Sequence, residues 1–471
     1  MSFEDSLRVG VIVCAIYLCL VYGSYLLLMV SGLYENARRQ REHSSVDFDT
    51  MAGSRFAPGV SILLAAYNEA ATIVPSIHSI LALDYPTFEI VVVNDGSTDN
   101  TLDVLAHAFD LVPVDRATRS ALDTEEIRAF YQSPTYPQIV VLDKANGGKA
   151  DALNAALNIA RHPYICGVDA DTIFSQDALL KAMRVCIADP LTVIGVTSYI
   201  EISADPREVM ATPPGQRKIS TRPLLVAFQT LDYLRAFFNN RIAWSRNDFM
   251  MCAIGAFQIW RRDIVEEHGG WSRNFTCEDI ELTFRLHESL RRQKRPYRIL
   301  CLPDPVGATE GPDTVQKLVS QRERWQRVTL ETWWAFRRMC FNPRYGKVGT
   351  LGMPFYLLSE ILAPLFELAT VIIVGLGVAT GLIHWDMMLW TTVLIAMVNG
   401  VFNAGAILGV DRQARDYTVT ALLALLLIAP LELVVYRPIM SWARLKGTVR
   451  FFQGDKGWHK FDRNALPSAT S

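Results

Sequence analysis

The sequence predicts an α/β domain with a mostly parallel sheet and helices on both faces, joined to interfacial amphipathic helices and an α-helical transmembrane region. Three observations carry this. Short apolar runs alternate with helix-period stretches, polar clusters close each of those runs, and long uncharged runs occupy the two ends of the chain. A chain of 471 residues suffices for one large soluble domain plus a membrane portion. Hydrophobic residues make up 50% of it and the mean hydropathy is +0.17, an excess carried by the ends.

Val9 to Leu33 is almost uncharged and about as long as the roughly 20 residues that cross a hydrocarbon core. A cleavable signal peptide is the alternative, but the run is too long and its flank (Glu4, Asp5, Arg8) is not basic. Arg38, Arg39 and Arg41 follow, which places the next domain in the cytoplasm by the positive-inside rule. Three further apolar runs come late: Met353 to Leu382, Met387 to Val410 and Tyr417 to Val435. His384-Trp385-Asp386 and Asp411 to Asp416 separate them. Glu360 with Pro364, and Pro430 with Glu432, mark places where a segment breaks, tilts or lies in the interface. If all three span, the tail after Tyr436 lies outside, yet it carries Arg437, Arg444, Lys446, Arg450, Lys456, Lys460 and Arg463, which the same rule places inside. The side of the tail stays open.

The middle of the chain alternates strand and helix. Val60 to Ala65 leads to a helical stretch from Glu69 to Leu83, and Phe88 to Val93 ends in Asn94-Asp95-Gly96-Ser97-Thr98-Asp99, where Ser97 or Thr98 can cap the next helix. Gln138 to Leu142 precedes a helix beginning near Lys149, and Tyr164 to Val168 ends at Asp169. In such sheets ligands bind at the carboxyl ends of the strands, and every polar cluster named falls there. The resulting division is a transmembrane helix over 1–35, a basic cytoplasmic linker over 36–57, an α/β domain over 58–313, an interfacial helix over 314–350, about three transmembrane helices over 351–436 and a basic tail over 437–471.

Several function classes fall away. A net charge of -2 shows no electrostatic footprint for nucleic acid. Neither GxGxxG nor GxxxxGK[ST] stands at these strand ends, so a dinucleotide oxidoreductase or P-loop enzyme has no anchor. The eight cysteines show no CxxC pair and read as buried thiols of a reducing compartment.

Asp169 and Asp171 stand two apart at a strand end and point to one side, so a cation between them relieves their repulsion. Hard oxygen ligands suit Mg²⁺ or Mn²⁺, which can in turn hold a diphosphate; a solvated turn with Asp171 capping the helix near Ser175 is the alternative. Asn146-Gly147-Gly148-Lys149 precedes a helix start, where free N–H groups and the helix dipole favour phosphate and Lys149 adds a charge.

In order along the chain stand Ala66-Tyr67-Asn68-Glu69, Asn94-Asp95-Gly96-Ser97, Asp143-Lys144 with Gly147 to Asn154, Asp169-Ala170-Asp171, Cys277-Glu278-Asp279 and Gln321-Arg322-Glu323-Arg324-Trp325. This series resembles the family-2 inverting glycosyltransferases, specifically the membrane-integrated branch of cellulose, hyaluronan, chitin and poly-N-acetylglucosamine synthases; its last member matches the branch's QxxRW motif. The resemblance implies a GT-A-type fold, a UDP-sugar donor and a divalent metal, Mg²⁺ or Mn²⁺. By it, Tyr67, Glu69 and Asp95 border the nucleoside, Lys149 approaches the phosphates, and Asp169 and Asp171 serve phosphate and metal. Glu69 can equally cap its helix, and Tyr67 can simply pack.

The resemblance makes Asp279 the catalytic base, which takes the acceptor hydroxyl proton in a single inverting displacement, with Glu278 orienting the acceptor. The bland reading is a capping pair on the helix Ile280 to Leu290. Gln321, Arg324 and Trp325 fall on an expected helix from Thr314 to Met339, with Gln321 and Trp325 on one face; Arg324 stabilises the departing diphosphate, and Gln321 and Trp325 border the acceptor, Trp325 by stacking on a pyranose. Trp333, Trp334 and Phe336 among arginines suit the membrane interface. Leu224 to Trp244 either lines an acceptor path or packs under the catalytic domain, and Ile254-Gly255-Ala256-Phe257 either borders the acceptor or is an ordinary strand.

Departures from the family pattern are Ala65 for a proline, Cys277 for threonine or glycine, Val328 for glycine, and no tryptophan before Thr309-Glu310. The implied function is transfer of a hexose or N-acetylhexosamine from a UDP-sugar to a growing β-linked polysaccharide, coupled to its export, by a multi-pass protein of the inner or plasma membrane. Its partners are the donor, the glycan acceptor and the bilayer, with accessory export proteins possible. A single addition onto a lipid acceptor is the alternative.

Overall fold

The computed structural model describes residues 3–43, 48–54, 56–116, 121–212, 224–409, 418–455 and 457. They form two compact units, one from Arg41–Pro213 with Met250–Glu310, the other from Met1–Gln40, Pro214–Phe249 and Gly311–Trp458.

The first unit is built on a sheet of ten strands: β1 Val60–Ala66, β2 Phe88–Asp95, β3 Val112–Pro113, β4 Ile127–Gln132, β5 Ile139–Lys144, β6 Tyr164–Asp169, β7 Ile173–Phe174, β8 Val193–Ser203, β9 Phe257–Arg261 and β10 Arg298–Glu310. Their order is β3-β4-β5-β2-β1-β6-β9-β8-β10-β7. The centre, β5-β2-β1-β6, is parallel, while β9 runs antiparallel to both β6 and β8. The central strands are dominated by Val, Ile and Leu because both of their faces are covered. Ile62, Leu64, Ile90 and Val92 share one core with Ile73, Ile77, Leu105 and Met183 of the covering helices, while the helix Lys149–Ile159, buried along nearly its whole length, packs on β1 and β2. This is the expected α/β architecture, with the parallel part concentrated at the centre of a mixed sheet.

The strand order reverses at β1, which has β2 on one side and the later β6 on the other. This switch point is where an open α/β sheet leaves a crevice at its carboxyl edge. Register aligns that edge: Ala66 pairs with Asn94, Asp95 with Lys144, and Ala65 with Asp169. Because β9 is antiparallel to β6 and pairs Phe257 with Val168, the loop before β9 arrives at the same edge.

Several local expectations shift. The first helix is Ile73–Leu81, not Glu69 to Leu83, because the residues before it form a turn tied to the next loop. Asn68, at φ 54°, accepts from the Thr98 and Asp99 amides through its side chain, and its own N–H donates to Ser97 Oγ. Ser97 and Thr98 are therefore engaged with Asn68, and the helix Thr101–Ala108 starts at Asn100. Asp171 caps no helix: β7 intervenes, and Asp177 is the N-cap of Ala178–Ala188.

In the second unit, three helices are long and apolar enough to cross a membrane: Phe3–Arg39, Trp385–Gly409 and Val419–Phe452. A fourth candidate is the pair Val348–Ile361 and Ala363–Ala379, bent by 45° near the Glu360 and Pro364 where the sequence marks a break. At Pro430 and Glu432, by contrast, a π-helical turn, Glu432–Tyr436, absorbs the proline and the helix continues to Phe452. Arg437, Arg444, Lys446 and Arg450, expected in a tail, thus lie on a helix. Arg437 is paired with Glu432, Arg444 with Glu360, and Lys446 and Arg450 with the buried Glu323. Lys456, Lys460 and Arg463, and the Asp411 to Asp416 hinge, lie outside the described residues.

Pro214–Phe249, expected within 58–313, groups with these apolar helices. Its helical stretch, Leu224 to Arg246, is amphipathic and buries Val226, Phe228, Leu231 and Phe237; Asn239 donates to the Phe402 carbonyl, and Arg235 pairs with Glu432 at 2.5 Å. The QxxRW residues lie on the helix Val315–Ala335, capped by Thr314, and a separate turn, Arg337–Met339, follows where the helix was expected to continue.

Candidate active site

At the carboxyl edge, Asp95 ends β2 and is almost wholly buried. Its Oδ1 accepts from Lys144 Nζ at 2.7 Å and from the Gly147 amide at 3.0 Å, and its Oδ2 accepts from the Gly148 amide at 2.8 Å. The two glycine amides read as a phosphate cradle are thereby donated to Asp95. The β2–β5 register brings the carboxylate beside the loop, and Gly148, at φ 87°, takes the turn that points its N–H there. Lys144 is fully buried and also meets Asp151 at 2.6 Å, and Asp151 in turn takes Arg273 at 2.8 Å.

Lys149 opens the following helix and reaches across the switch point. Its Nζ lies 2.8 Å from Asp169 Oδ1 and 2.9 Å from Glu278 Oε1. Burial opposes its charge, but Asp169, Glu278 and Asp279 together hold the ammonium well above the ordinary lysine value. Glu278 and Asp279 are the first residues of the helix Glu278–Arg292, where the dipole favours carboxylates. Asp279 Oδ2 accepts from the Gly255 amide at 2.8 Å, and its Oδ1 from the Ile280 amide and the Cys277 thiol, each at 2.7 Å. Burial and then the neighbouring Glu278 push Asp279 above the usual carboxylate range, against Lys149 and these donors. A group tuned in this way, inside a charge cluster at a switch point, has the character of a general base.

Asp169 closes β6, and Asp171 lies in the turn after it, with Thr309 Oγ1 of β10 at 3.5 Å from its Oδ2. Among the described residues no group of three His, Cys, Asp or Glu side chains is arranged to hold an ion. Mg²⁺, however, is commonly bound through one or two carboxylates, with substrate phosphates and water completing the shell. Asp169 and Asp171 supply hard carboxylate oxygens of the kind such a cation takes.

Tyr67 follows β1 at the same edge and is exposed. Glu69 accepts from Thr72 Oγ1 at 2.8 Å, and its backbone carbonyl accepts the Thr72 and Ile73 amides, so it belongs to the turn that leads into the Ile73–Leu81 helix, whose N-cap is Thr72. The structure thus gathers Tyr67, Asp95, Lys149, Asp169, Asp171, Glu278 and Asp279 at one sheet edge. Gln321, Arg324 and Trp325 belong to the other unit. There the Arg322 guanidinium lies 4.2 Å from the centre of the Trp325 ring and pairs with Asp232, so one face of the ring expected to meet a sugar is covered.

Four groups escaped the sequence reading: the Gly255 amide, the Cys277 thiol, Lys144 as the partner of two acids, and Thr309 beside Asp171. Gly255 lies in a loop, not a strand; β9 begins only at Phe257. The signals available in advance were Cys277, a departure beside an acidic pair, Lys144 in the motif series, and Ile254 to Phe257, read as bordering the acceptor or as an ordinary strand.

Over residues 61–269 the chain matches the model of glycosyl transferase family 2. It is 26% identical over 286 residues to a poly-beta-1,6-N-acetyl-D-glucosamine synthase of Staphylococcus epidermidis, covering 59% of this chain and 57% of that protein. To the synthase of the same name from Staphylococcus aureus (strain COL) it is 28% identical over 268 residues, covering 57% of this chain and 53% of that one. The chain therefore spans little more than half the length of the curated relatives it matches. Among solved structures, a mannosyltransferase from Pyrobaculum calidifontis in complex with GDP-Man and Mn²⁺ covers 88% of this chain and 99% of its own at 18% identity and a TM-score of 0.49. The matched segment begins in β1 and ends after β9, and so contains Asp95, Lys149, Asp169, Asp171 and Gly255; it is similar to the glycosyl transferase family 2 model and to the poly-beta-1,6-N-acetyl-D-glucosamine synthases.

Proposed function

We propose that this chain is an inverting membrane glycosyltransferase that moves N-acetylglucosamine from UDP-N-acetylglucosamine onto the end of a growing β-linked glycan. The carrying observation is the cluster of Lys149, Asp169, Glu278 and Asp279 at the switch point, where a fixed cation and a base with a raised pKa lie within one crevice. The names of the synthases it resembles supply the sugar and the β-1,6 linkage.

In this reading Tyr67, Glu69 and Asp95 border the nucleoside, and Asp169 and Asp171 would hold Mg²⁺ or Mn²⁺, which would supply positive charge against the diphosphate. Lys149 orients the phosphates from the protein side and holds Glu278 in place. The acceptor hydroxyl oxygen attacks the anomeric carbon, the bond to UDP breaks with its electron pair passing to the phosphate oxygen, and the hydroxyl proton passes to Asp279. By the family resemblance, Arg324 would stabilise the leaving group and Gln321 and Trp325 would bound the acceptor. The apolar helices hold the enzyme in the membrane with its catalytic domain on the cytoplasmic side.

Purified protein given Mg²⁺ or Mn²⁺ and UDP-N-acetylglucosamine is expected to release UDP and to make a long glycan cleaved by a β-1,6-specific hexosaminidase. A product bearing one sugar, extractable into organic solvent, would overturn polymerisation in favour of a lipid acceptor.

The crevice tolerates no bulk at Gly255. A Cβ there would stand 2.9 Å from Lys149 Nζ and 3.2 Å from Asp279 Oδ2. Gly255→Ala is expected to lower turnover by roughly 10- to 100-fold through displacement of the reacting groups, with UDP release as the readout and thermal unfolding little changed.

A further inference from the structure

We infer that Cys277 is a positioning residue for the proposed base: its thiol saturates Asp279 Oδ1, so that Oδ2 is the atom that takes the acceptor proton. The inference rests on the reading of Asp279 as base and adds which oxygen acts and what holds it.

The argument is a count of lone pairs. A carboxylate offers about four acceptor positions, two on each oxygen. Oδ1 receives the Ile280 N–H and the Cys277 S–H, both at 2.7 Å, whereas Oδ2 receives the Gly255 N–H at 2.8 Å. The recorded donors thus fill Oδ1 and leave one position on Oδ2, the oxygen beside the Gly255 loop and Lys149.

Cys277 is suited to donate. Its backbone is extended at φ -131°, ψ 110°, as the N-cap of the Glu278–Arg292 helix, and its side chain makes no cap to the helix amides. It turns instead to the carboxylate two residues on. Burial, and then Asp279 and Glu278, hold the thiol well above its ordinary pKa, so it keeps the proton it donates. The charged and titratable groups around Asp279 are Glu278 beside it, Lys149 from the helix after the glycine loop, and Cys277, with Cys252 behind the thiol. Of these, Cys277 is the neutral donor, able to fix the carboxylate without competing for its charge.

The test compares Cys277→Ser, which keeps a donor, with Cys277→Val, which removes it at similar volume. Each is assayed as full-length protein in detergent with UDP-N-acetylglucosamine, reading kcat, KM and the acid limb of the pH–rate profile. Cys277→Val is expected to lose roughly tenfold in kcat with KM for the donor unchanged, and its acid limb should move to higher pH because an anion-stabilising bond is gone. Cys277→Ser should restore kcat and move the limb to or below that of the native protein, since a hydroxyl is the stronger donor.

A Val variant with native kcat and limb, or Ser and Val variants that behave alike, would overturn the inference. If the Val variant does not fold, a Ser variant whose limb lies above the native one does so instead. Asp279→Asn separates the two levels. Full activity there sinks the base reading itself, whereas an inactive Asn variant beside an unresponsive Cys277 series sinks only the role of the thiol.

Discussion

Asp279→Asn is expected to lower kcat by roughly 10²- to 10⁴-fold, the range over which a positioned general base contributes. UDP affinity, measured by calorimetry, should stay within about twofold, because the base acts on the acceptor proton and leaves uniform donor binding untouched. The amide keeps the shape of the side chain but cannot take a proton, and its NH₂ opposes either the Gly255 N–H or the donors on Oδ1. The pH profile sharpens the expectation. A base works when deprotonated, and burial with Glu278 raises its pKa, so the native rate should fall with decreasing pH before the ordinary carboxylate range is reached. The Asn variant should lack that limb. A transferase with full activity after this substitution would have its base elsewhere.

The second large effect is structural. Lys144 is fully buried between Asp95 at 2.7 Å and Asp151 at 2.6 Å, and also donates to the Ala145 carbonyl. Replacing it by methionine leaves two buried carboxylates with one cation fewer, and breaking such a pair costs about 3–5 kcal/mol. At about 2–4 °C per kcal/mol for a domain of this size, the unfolding midpoint of the catalytic unit should fall by roughly 6–20 °C. Exposure of Cys166 and Cys186, both buried in that unit, to a thiol-reactive fluorophore follows it without involving the apolar helices. An unchanged midpoint would mean that Asp151 is held by Arg273 alone. Folded variants should also bind donor less tightly, since Lys144 anchors the Asp95 carboxylate on which the Gly147 and Gly148 amides close.

Much of the catalytic unit was legible because its signals are local. Runs such as Val60–Ala66 and Phe88–Asp95 declare buried parallel strands by composition, and the polar residues that close them fall at carboxyl ends whatever the pairing. The helix starts were less legible: Ser97 and Thr98 have cap chemistry, yet they serve Asn68 across the switch point, a partner no local rule names. In the membrane unit, the long apolar runs announced themselves, and Pro364 marked a true bend. Pro430 did not, because a π-helical turn absorbs it, and the basic residues beyond it are matched by Glu323, Glu360 and Glu432.

The sequence by itself determined the α/β class, the apolar segments and which carboxylates stand at strand ends, since periodicity, run length and residue chemistry are properties of neighbours along the chain. Only the tertiary structure decided what those carboxylates touch. The partners of Asp95 lie 49 to 53 residues away and the Gly255 amide meets Asp279 across 24. Such contacts are set by strand register and by the antiparallel entry of β9, which are long-range choices made when the sheet assembles. Whether a glycine amide faces a phosphate or a buried aspartate is therefore settled by the sheet, not by the motif.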